Sequence, residues 1–270
     1  MSKQTLEILR ILEKLVQKIN YGPPDPSVPS RYVNMFMPDN GFYYIVSIPE
    51  KKIIFQRGLE KMGYSLPKGK VFRDGSCELD PSFAYQFAIK KDKDDLIFLS
   101  EYVLNPDNIR HFTGSTLSVD FRGITADRIE VRIIRECKII HNDPISGLPS
   151  HYLTWGFINQ NLADLTSGLR FSLHGPEFDE ANKHFRQHMT DAYKSWKYAQ
   201  FPLNEKEVEI FSLYHKGYMK AHEIAPLVGL NVQTVRTYIR DIKEKLRSLD
   251  ASVRNNMDVI RFLKDESFIL

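Results

Sequence analysis

The N-terminal part of the chain carries an apolar stripe with helical period. Residues 2–19 place most of their apolar side chains in one sector roughly 120° wide, which predicts an amphipathic helix. The stripe consists of Ile8, Leu9, Leu12, Leu15, Val16 and Ile19. Leu6 and Ile11 lie outside it, one on each side. Residues 22–30 are rich in Pro, Gly and Ser, so they end this helix and predict a linker.

The middle of the chain is dominated by runs with the period of a β-strand. The predicted strands are 42–48, 52–55, 117–122, 129–140 and 151–159. A turn at residues 49–51 joins the first two into a hairpin, and residues 81–103 predict short helices. Leu153, Trp155 and Phe157 share one face of the last strand. Two strands, helices and three strands predict an α+β fold, an antiparallel sheet with helices on one face.

The C-terminal part of the chain has the pattern of helices alone. A polar helical connector is predicted at 176–200, followed from near Phe201 by an all-α module of three or four helices. In its third helix Val235, Tyr238, Ile239, Ile242 and Leu246 fall in one sector roughly 100° wide, which predicts the buried side. The basic residues lie away from that stripe; they are Arg236, Arg240, Lys243 and Arg247.

This third helix is predicted to contact DNA. Asn231 stands at the N-cap position, and the helix start that it caps suits a phosphate group. Side chains near the start of a recognition helix reach base edges, whereas Arg240, Lys243 and Arg247 are placed to contact phosphate. The candidate DNA contacts are Asn231, Val232, Gln233, Thr234, Arg236, Thr237, Arg240, Lys243 and Arg247.

The C-terminal module resembles the DNA-binding domain of LuxR-type transcription factors. Residues 203–210, LNEKEVEI, resemble the family's opening L-[ST]-x-R-E-x-E-V, with Lys206 in place of the arginine. Gly217 followed by residues 223–225, EIA, and residues 234–236, TVR, resemble two further motifs. One extra residue precedes Glu223, and Tyr238 replaces the usual histidine. The resemblance implies a final helix at 253–264, with candidate dimer contacts at Met257, Ile260 and Leu263.

The preceding segment resembles a PAS sensory domain. The resemblance is carried by residues 42–46, by residues 58–65, and by the closing strand 155–158 with Asp164-Leu165-Thr166 behind it. It implies a domain that senses a small molecule or dimerises, but the sequence identifies no cofactor. The cysteine motif of flavin photosensors is absent. His111 and His141 are candidate haem ligands, but a lone histidine in a loop or strand is more often structural or exposed.

Composition and charge agree with a soluble protein. The 270 residues carry 37 Lys and Arg against 34 Asp and Glu, so the net charge of +3 alone does not indicate nucleic-acid binding. The two cysteines, Cys77 and Cys137, form neither a disulfide framework nor a zinc motif, which favours a reducing compartment. Without a signal-peptide layout or a long apolar run, a cytoplasmic location and no membrane contact are expected.

An enzyme is the less favoured interpretation. His184 and His188 have a spacing that can hold zinc, but the glutamate of H-E-x-x-H is missing and no third ligand stands out. No nucleophile-elbow, phosphate-loop or dinucleotide motif is present. A metal-dependent hydrolase using these two histidines therefore remains a third hypothesis, behind two others.

The favoured hypothesis is a DNA-binding transcription regulator that acts as a homodimer on double-stranded DNA, with RNA polymerase as a further candidate partner. The alternative is an interaction protein whose C-terminal helices serve assembly. The expected organisation is an N-terminal helix and linker (1–30), a PAS-like domain (31–170), a helical connector (171–200) and a LuxR-type helix-turn-helix domain (201–270).

Overall fold

The computed structural model describes residues 3–63, 79, 81–159, 168–175, 180–200, 202–216 and 220–265. It divides into two compact units. The first, called the α+β unit, comprises residues 1–165 and 169–189. The second, called the helical unit, comprises residues 166–168 and 190–270.

The α+β unit is built on one antiparallel sheet of six described strands. They are β1 (Gly41–Ser47), β2 (Lys52–Arg57), β3 (Thr116–Ile124), β4 (Glu130–Asn142), β5 (Pro149–Asn159) and β6 (Arg170–His174). Their order across the sheet is β2-β1-β5-β4-β3-β6. Two strands, helices and three further strands form the antiparallel α+β arrangement that the sequence predicted. The sixth strand was not predicted, because only Leu173 of its five residues is buried.

Helices follow the hairpin, as the pattern indicated. The α+β unit contains α1 (Lys3–Lys18), α2 (Lys90–Val103), α3 (Ile109–Phe112) and the first half of α4 (Glu180–Gln200). Three short 3-10 helices lie at Pro29–Arg31, Leu59–Met62 and Pro81–Tyr85. The closing Asp164-Leu165-Thr166 signature lies outside the described residues, as do Tyr64 and Ser65 of the second motif.

Helix α1 buries a wider surface than its sequence predicted. Leu12, Leu15 and Ile19 are buried as expected. Ile11, placed outside the stripe by its angle, is also buried, with 4% of its surface exposed. The helix packs against both α2 and the 3-10 helix at Pro81–Tyr85, so a second neighbour covers the flank of the stripe.

The two faces of the sheet pack against different parts of the unit. On the outer face, Tyr43 lies opposite Trp155 and Ile45 opposite Leu153, and the segment around Val28 packs on them. On the inner face, Tyr152 of β5 and Arg135 and Cys137 of β4 point toward α2, α3 and the 3-10 helix at Pro81–Tyr85. The inner face therefore forms the wall between sheet and helices.

A buried histidine makes the α+β unit sensitive to acid. His151 of β5 is fully buried, and its Nδ1 lies 3.0 Å from the hydroxyl of Ser150. Its Nε2 has no hydrogen-bond partner among the described residues. Burial, and secondarily the neighbouring His141, lower the pKa of His151 to about 4, against a weaker opposing effect of Asp25. As the pH falls, His151 therefore becomes protonated at a higher pH in the unfolded chain than in the folded chain.

We expect stability to fall as the pH drops from about 6.5 toward 4, since the folded-state pKa is depressed. The contribution of His151 is fully present above about pH 6.5 and shrinks by about 2 kcal/mol between pH 7 and pH 5. Urea unfolding at the two pH values measures it. His151→Asn should remove this part of the pH dependence, whereas the exposed His111→Asn should leave it unchanged. Equal slopes for the wild type and His151→Asn would contradict the assignment.

The helical unit contains four described helices besides the second half of α4. They are α5 (Glu205–His215), α6 (Ala221–Leu227), α7 (Val232–Arg247) and α8 (Asn256–Asp265). Val235, Ile239, Ile242 and Leu246 are buried as predicted, and Tyr238 packs partly against the same core. Phe201 and Gly217 lie outside the described residues.

Two of the three expected dimer contacts are wrong. Ile260 and Leu263 are 6% and 0% exposed because they pack into the unit's own core beside Ile242 and Leu246. Met257 alone of the three is on the surface, 57% exposed.

No helix within the described residues is long and apolar enough to cross a membrane.

Candidate nucleic-acid interface

The start of α5 is fixed by a reciprocal capping box. The backbone N–H of Asn204 donates to Oε2 of Glu207 at 2.8 Å, and the backbone N–H of Glu207 donates to Oδ1 of Asn204 at 2.9 Å. Each side chain thus satisfies a backbone donor that the first helical turn leaves open. The motif at residues 203–210 thus supplies the two residues of the cap at the start of α5.

The same glutamate ties α5 to α7. Oε1 of Glu207 accepts a hydrogen bond from Nζ of Lys245 at 2.6 Å. The Glu207 side chain is 3% exposed and that of Lys245 is 39% exposed. This pair is not predictable from the sequence, since the Asn-x-x-Glu spacing indicates the cap but gives no sign of a partner 38 positions away. It fixes the helix that carries the basic face.

The turn between α6 and α7 is a Schellman motif. Gly229 has φ +67°, and the backbone N–H of Leu230 donates to the carbonyl of Ala225 at 2.9 Å. After it, Oδ1 of Asn231 accepts from the backbone N–H of Thr234 at 2.8 Å, which makes Asn231 the N-cap of α7. The turn and cap together fix where α7 begins.

We expect Gly229→Ala to destabilise the helical unit by about 1 kcal/mol, since a left-handed backbone disfavours a Cβ. The added Cβ itself would meet nothing within 4 Å, so the cost comes from the backbone alone. Gly229→Asn should cost less, because asparagine tolerates this conformation. Urea unfolding of the two variants checks the order, and an equal loss would count against the backbone explanation.

The exposed face of α7 is basic near its middle. The helix holds five basic residues and two acidic ones. Gln233, Arg236, Arg240 and Glu244 are exposed, and Lys243 is half-buried. Within the described part of the chain, the side chains of Gln233, Arg236 and Lys243 form no ion pair or hydrogen bond. Their polar groups are therefore available to an external partner.

Other predicted contacts are engaged within the unit. Nε and Nη2 of Arg247 donate to the carbonyls of Val253 and Arg254 at 2.9 and 2.8 Å, which ties the end of α7 to the loop before α8. Nε of Arg240 lies 3.2 Å from the carboxylate of Asp241, an exposed pair that solvent weakens. The hydroxyl of Thr237 donates to the carbonyl of Gln233 at 3.2 Å. Val232 and Thr234 are half-buried at the helix start.

The histidine pair considered for zinc lies elsewhere. His184 and His188 are both exposed on α4. Among the described residues, no group of three or more His, Cys, Asp and Glu side chains is placed to hold a metal ion. The hydrolase hypothesis thus gains no third ligand from the described residues.

Comparison with known proteins gives distant structural neighbours. No protein-family model matches the sequence, and no curated protein is significantly similar to it. A phage VqmA–DPO complex is 12% identical with a TM-score of 0.33, over 90% of this chain and 91% of that one. A Vibrio cholera VqmA–ligand–DNA complex is 13% identical with a TM-score of 0.24, over 92% and 91%. A Rhodobacter sphaeroides LOV protein is 12% identical with a TM-score of 0.33, over 64% and 98%. At such low TM-scores the similarities decide neither fold nor function.

Proposed function

We propose that this chain is a DNA-binding transcription regulator whose helix α7 enters the major groove. The observation that supports it is the exposed face of α7, where Gln233, Arg236 and Lys243 have no partner among the described residues. A basic side chain without a protein partner keeps its donors for phosphate or base edges. The opposite side of the same helix packs into the core of the helical unit through Val235 and Ile242.

The proposed contacts divide along the helix. Gln233 and Arg236 lie in the first turns, with Val232, Thr234 and Thr237 beside them, so they are placed to meet base edges. Arginine binds guanine bidentately and glutamine binds adenine. Arg240 and Lys243 lie farther along and are placed to contact phosphate. Asn231 positions the helix start, and Arg247, which also bonds the loop before α8, is proposed as a further phosphate contact.

The remaining parts of the proposal concern organisation. The chain acts as a homodimer in the cytoplasm, with the PAS-like segment at 31–170 as a sensory or dimerisation domain and the region 201–270 as the DNA reader. Residues 1–30 and 171–200 are the N-terminal helix with its linker and the helical connector. RNA polymerase is a further proposed partner.

Binding of the full chain to a labelled random-sequence duplex, followed by fluorescence anisotropy, tests the proposal. Between about 50 and 200 mM salt we expect log K to fall linearly with log[salt], by about 0.9 for each phosphate contact. An absence of salt-dependent binding at the lowest salt would reject the DNA reader. It would favour the alternative, an interaction protein whose C-terminal helices serve assembly.

A further inference from the structure

The inner face of the sheet in the α+β unit lines a small cavity. Its volume is about 30 Å³, and its polar lining consists of Arg135, Cys137, Tyr85, Ser100 and Tyr152. The rest of the wall is apolar, with side chains from α2, α3, β3 and β4. A single water needs about 10–15 Å³ of such space, so the cavity admits a small molecule of a few heavy atoms and no large ligand.

Arg135 is the unusual member of this lining. It is 5% exposed, and its Nε and Nη1 have no hydrogen-bond partner among the described residues. Its guanidinium carbon lies 5.1 Å from the ring centre of Tyr85 and 5.5 Å from that of Phe121. Stacking on two rings offsets part of the cost of burying the cation, but it leaves the donors of Nε and Nη1 unused.

The other buried arginines of the same sheet show what Arg135 lacks. Arg122 is paired with the buried carboxylate of Asp92, whose oxygens also accept from the Arg122 backbone N–H at 2.7 Å. Arg132 donates from Nε to Asp120 at 2.8 Å. Arg135 forms no ion pair with any described residue. A buried cation without a counter-ion is costly, so this one is unusual in a sheet that pairs its other two.

The groups around Arg135 cannot serve as counter-ions at neutral pH. Burial raises the pKa values of Tyr44, Tyr85 and Tyr152, so all three phenols are neutral. The hydroxyl of Ser100 donates to the carbonyl of Leu96 at 2.8 Å. The 2.6 Å hydrogen bond between Tyr85 and Ser100 therefore has the Tyr85 hydroxyl as its donor. The cavity thus offers a cation in an apolar, neutral surrounding.

We propose that this cavity binds the carboxylate of a short monocarboxylic acid, with Arg135 as its counter-ion. The planar fork of a guanidinium matches the two oxygens of a carboxylate, and the two unused donors are those that such a group would take. The apolar wall suits the short hydrocarbon part of the acid, and the volume excludes a large ligand. The site does not depend on the DNA-binding proposal, and its test contains no DNA.

Thermal unfolding of the full chain with sodium propionate, with propionamide and with sodium chloride at equal ionic strength tests the site. At a propionate concentration tenfold above Kd we expect the midpoint to rise by about 3 to 6 °C, because the ligand binds only the folded chain. The amide and the chloride should give no comparable rise. An equal response to propionamide, or no response to acetate, propionate or butyrate, would overturn the proposal.

Arg135→Met provides the matched variant, since it keeps an apolar side chain of similar length in the cavity. We expect it to fold with an unchanged or raised midpoint and to lose the propionate response, with at least a tenfold weaker affinity by calorimetry. Arg110→Met, which removes an exposed arginine of α3, should keep the response. If Arg135→Met does not fold, isotope-filtered NOEs decide the question on the wild type. Contacts from propionate protons to Tyr85 or Tyr152 ring protons would support the site, and their absence in a saturated sample would reject it.

Discussion

Replacing Glu207 with alanine is expected to lower the free energy of unfolding of the helical unit by about 3 kcal/mol. About 1 kcal/mol comes from the lost capping box, because the Asn204 N–H loses its acceptor. About 2 kcal/mol comes from the charge-assisted hydrogen bond to Lys245. The Lys245 side chain is 39% exposed, so its ammonium group regains water and the loss stays below that of a fully buried pair.

Hydrogen exchange of peptides from α5 and α7 measures this loss within the unit, since both helices should exchange faster together. Glu209→Ala is the matched control. Glu209 lies one turn from the cap and forms an ion pair with Lys206 at 2.8 Å, with both side chains more than a third exposed. Its removal should change stability by less than about 1 kcal/mol. Glu207→Gln, which keeps an acceptor for Asn204, should fall between the two. Equal effects of Glu207→Ala and Glu209→Ala would show that burial of the pair contributes little.

Local patterns predicted much of the fold. The stripe of α7 and the hairpin of β1 and β2 are set by periods that the sequence displays directly. The cap at Asn231 was also visible, since its side chain bonds only three positions along the chain. Such features depend on neighbours in sequence, and no knowledge of packing is needed to find them.

Features that depend on tertiary packing were missed. Arg247 has the angular position of a DNA contact, yet the loop before α8 turns its guanidinium toward two backbone carbonyls. The family resemblance implied that Ile260 and Leu263 lie on a dimer surface, but both are buried in the core of the helical unit. A resemblance in short motifs does not say which neighbour covers the last helix. Arg132 and Arg135 are three apart on β4 and so point to opposite faces, yet both are buried. Alternation alone would have left one of them in solvent.

Arg236→Ala is expected to weaken binding to the specific site by roughly 1 to 3 kcal/mol while leaving binding to random DNA nearly unchanged. Arg236 is exposed on the outer face of α7 within its first turns, so a contact that it makes to a base edge carries sequence information. A specific site is first obtained by selection from random duplexes. The measurement is then a competition between that site and random duplex, repeated with each base pair of the site changed in turn. The variant should lose discrimination at one base pair of each half-site.

Lys243→Ala is the matched control, because it removes one positive charge two helical turns farther along the same face. A lost phosphate contact should weaken binding to every sequence alike and reduce the salt slope by about one. One phosphate contact accounts for about an eightfold change in affinity for each tenfold change in salt. The two variants together thus distinguish a base contact from a phosphate contact. If Arg236→Ala and Lys243→Ala weakened all sequences equally, Arg236 would be a phosphate contact, and base readout would have to come from Gln233 and the residues beside it.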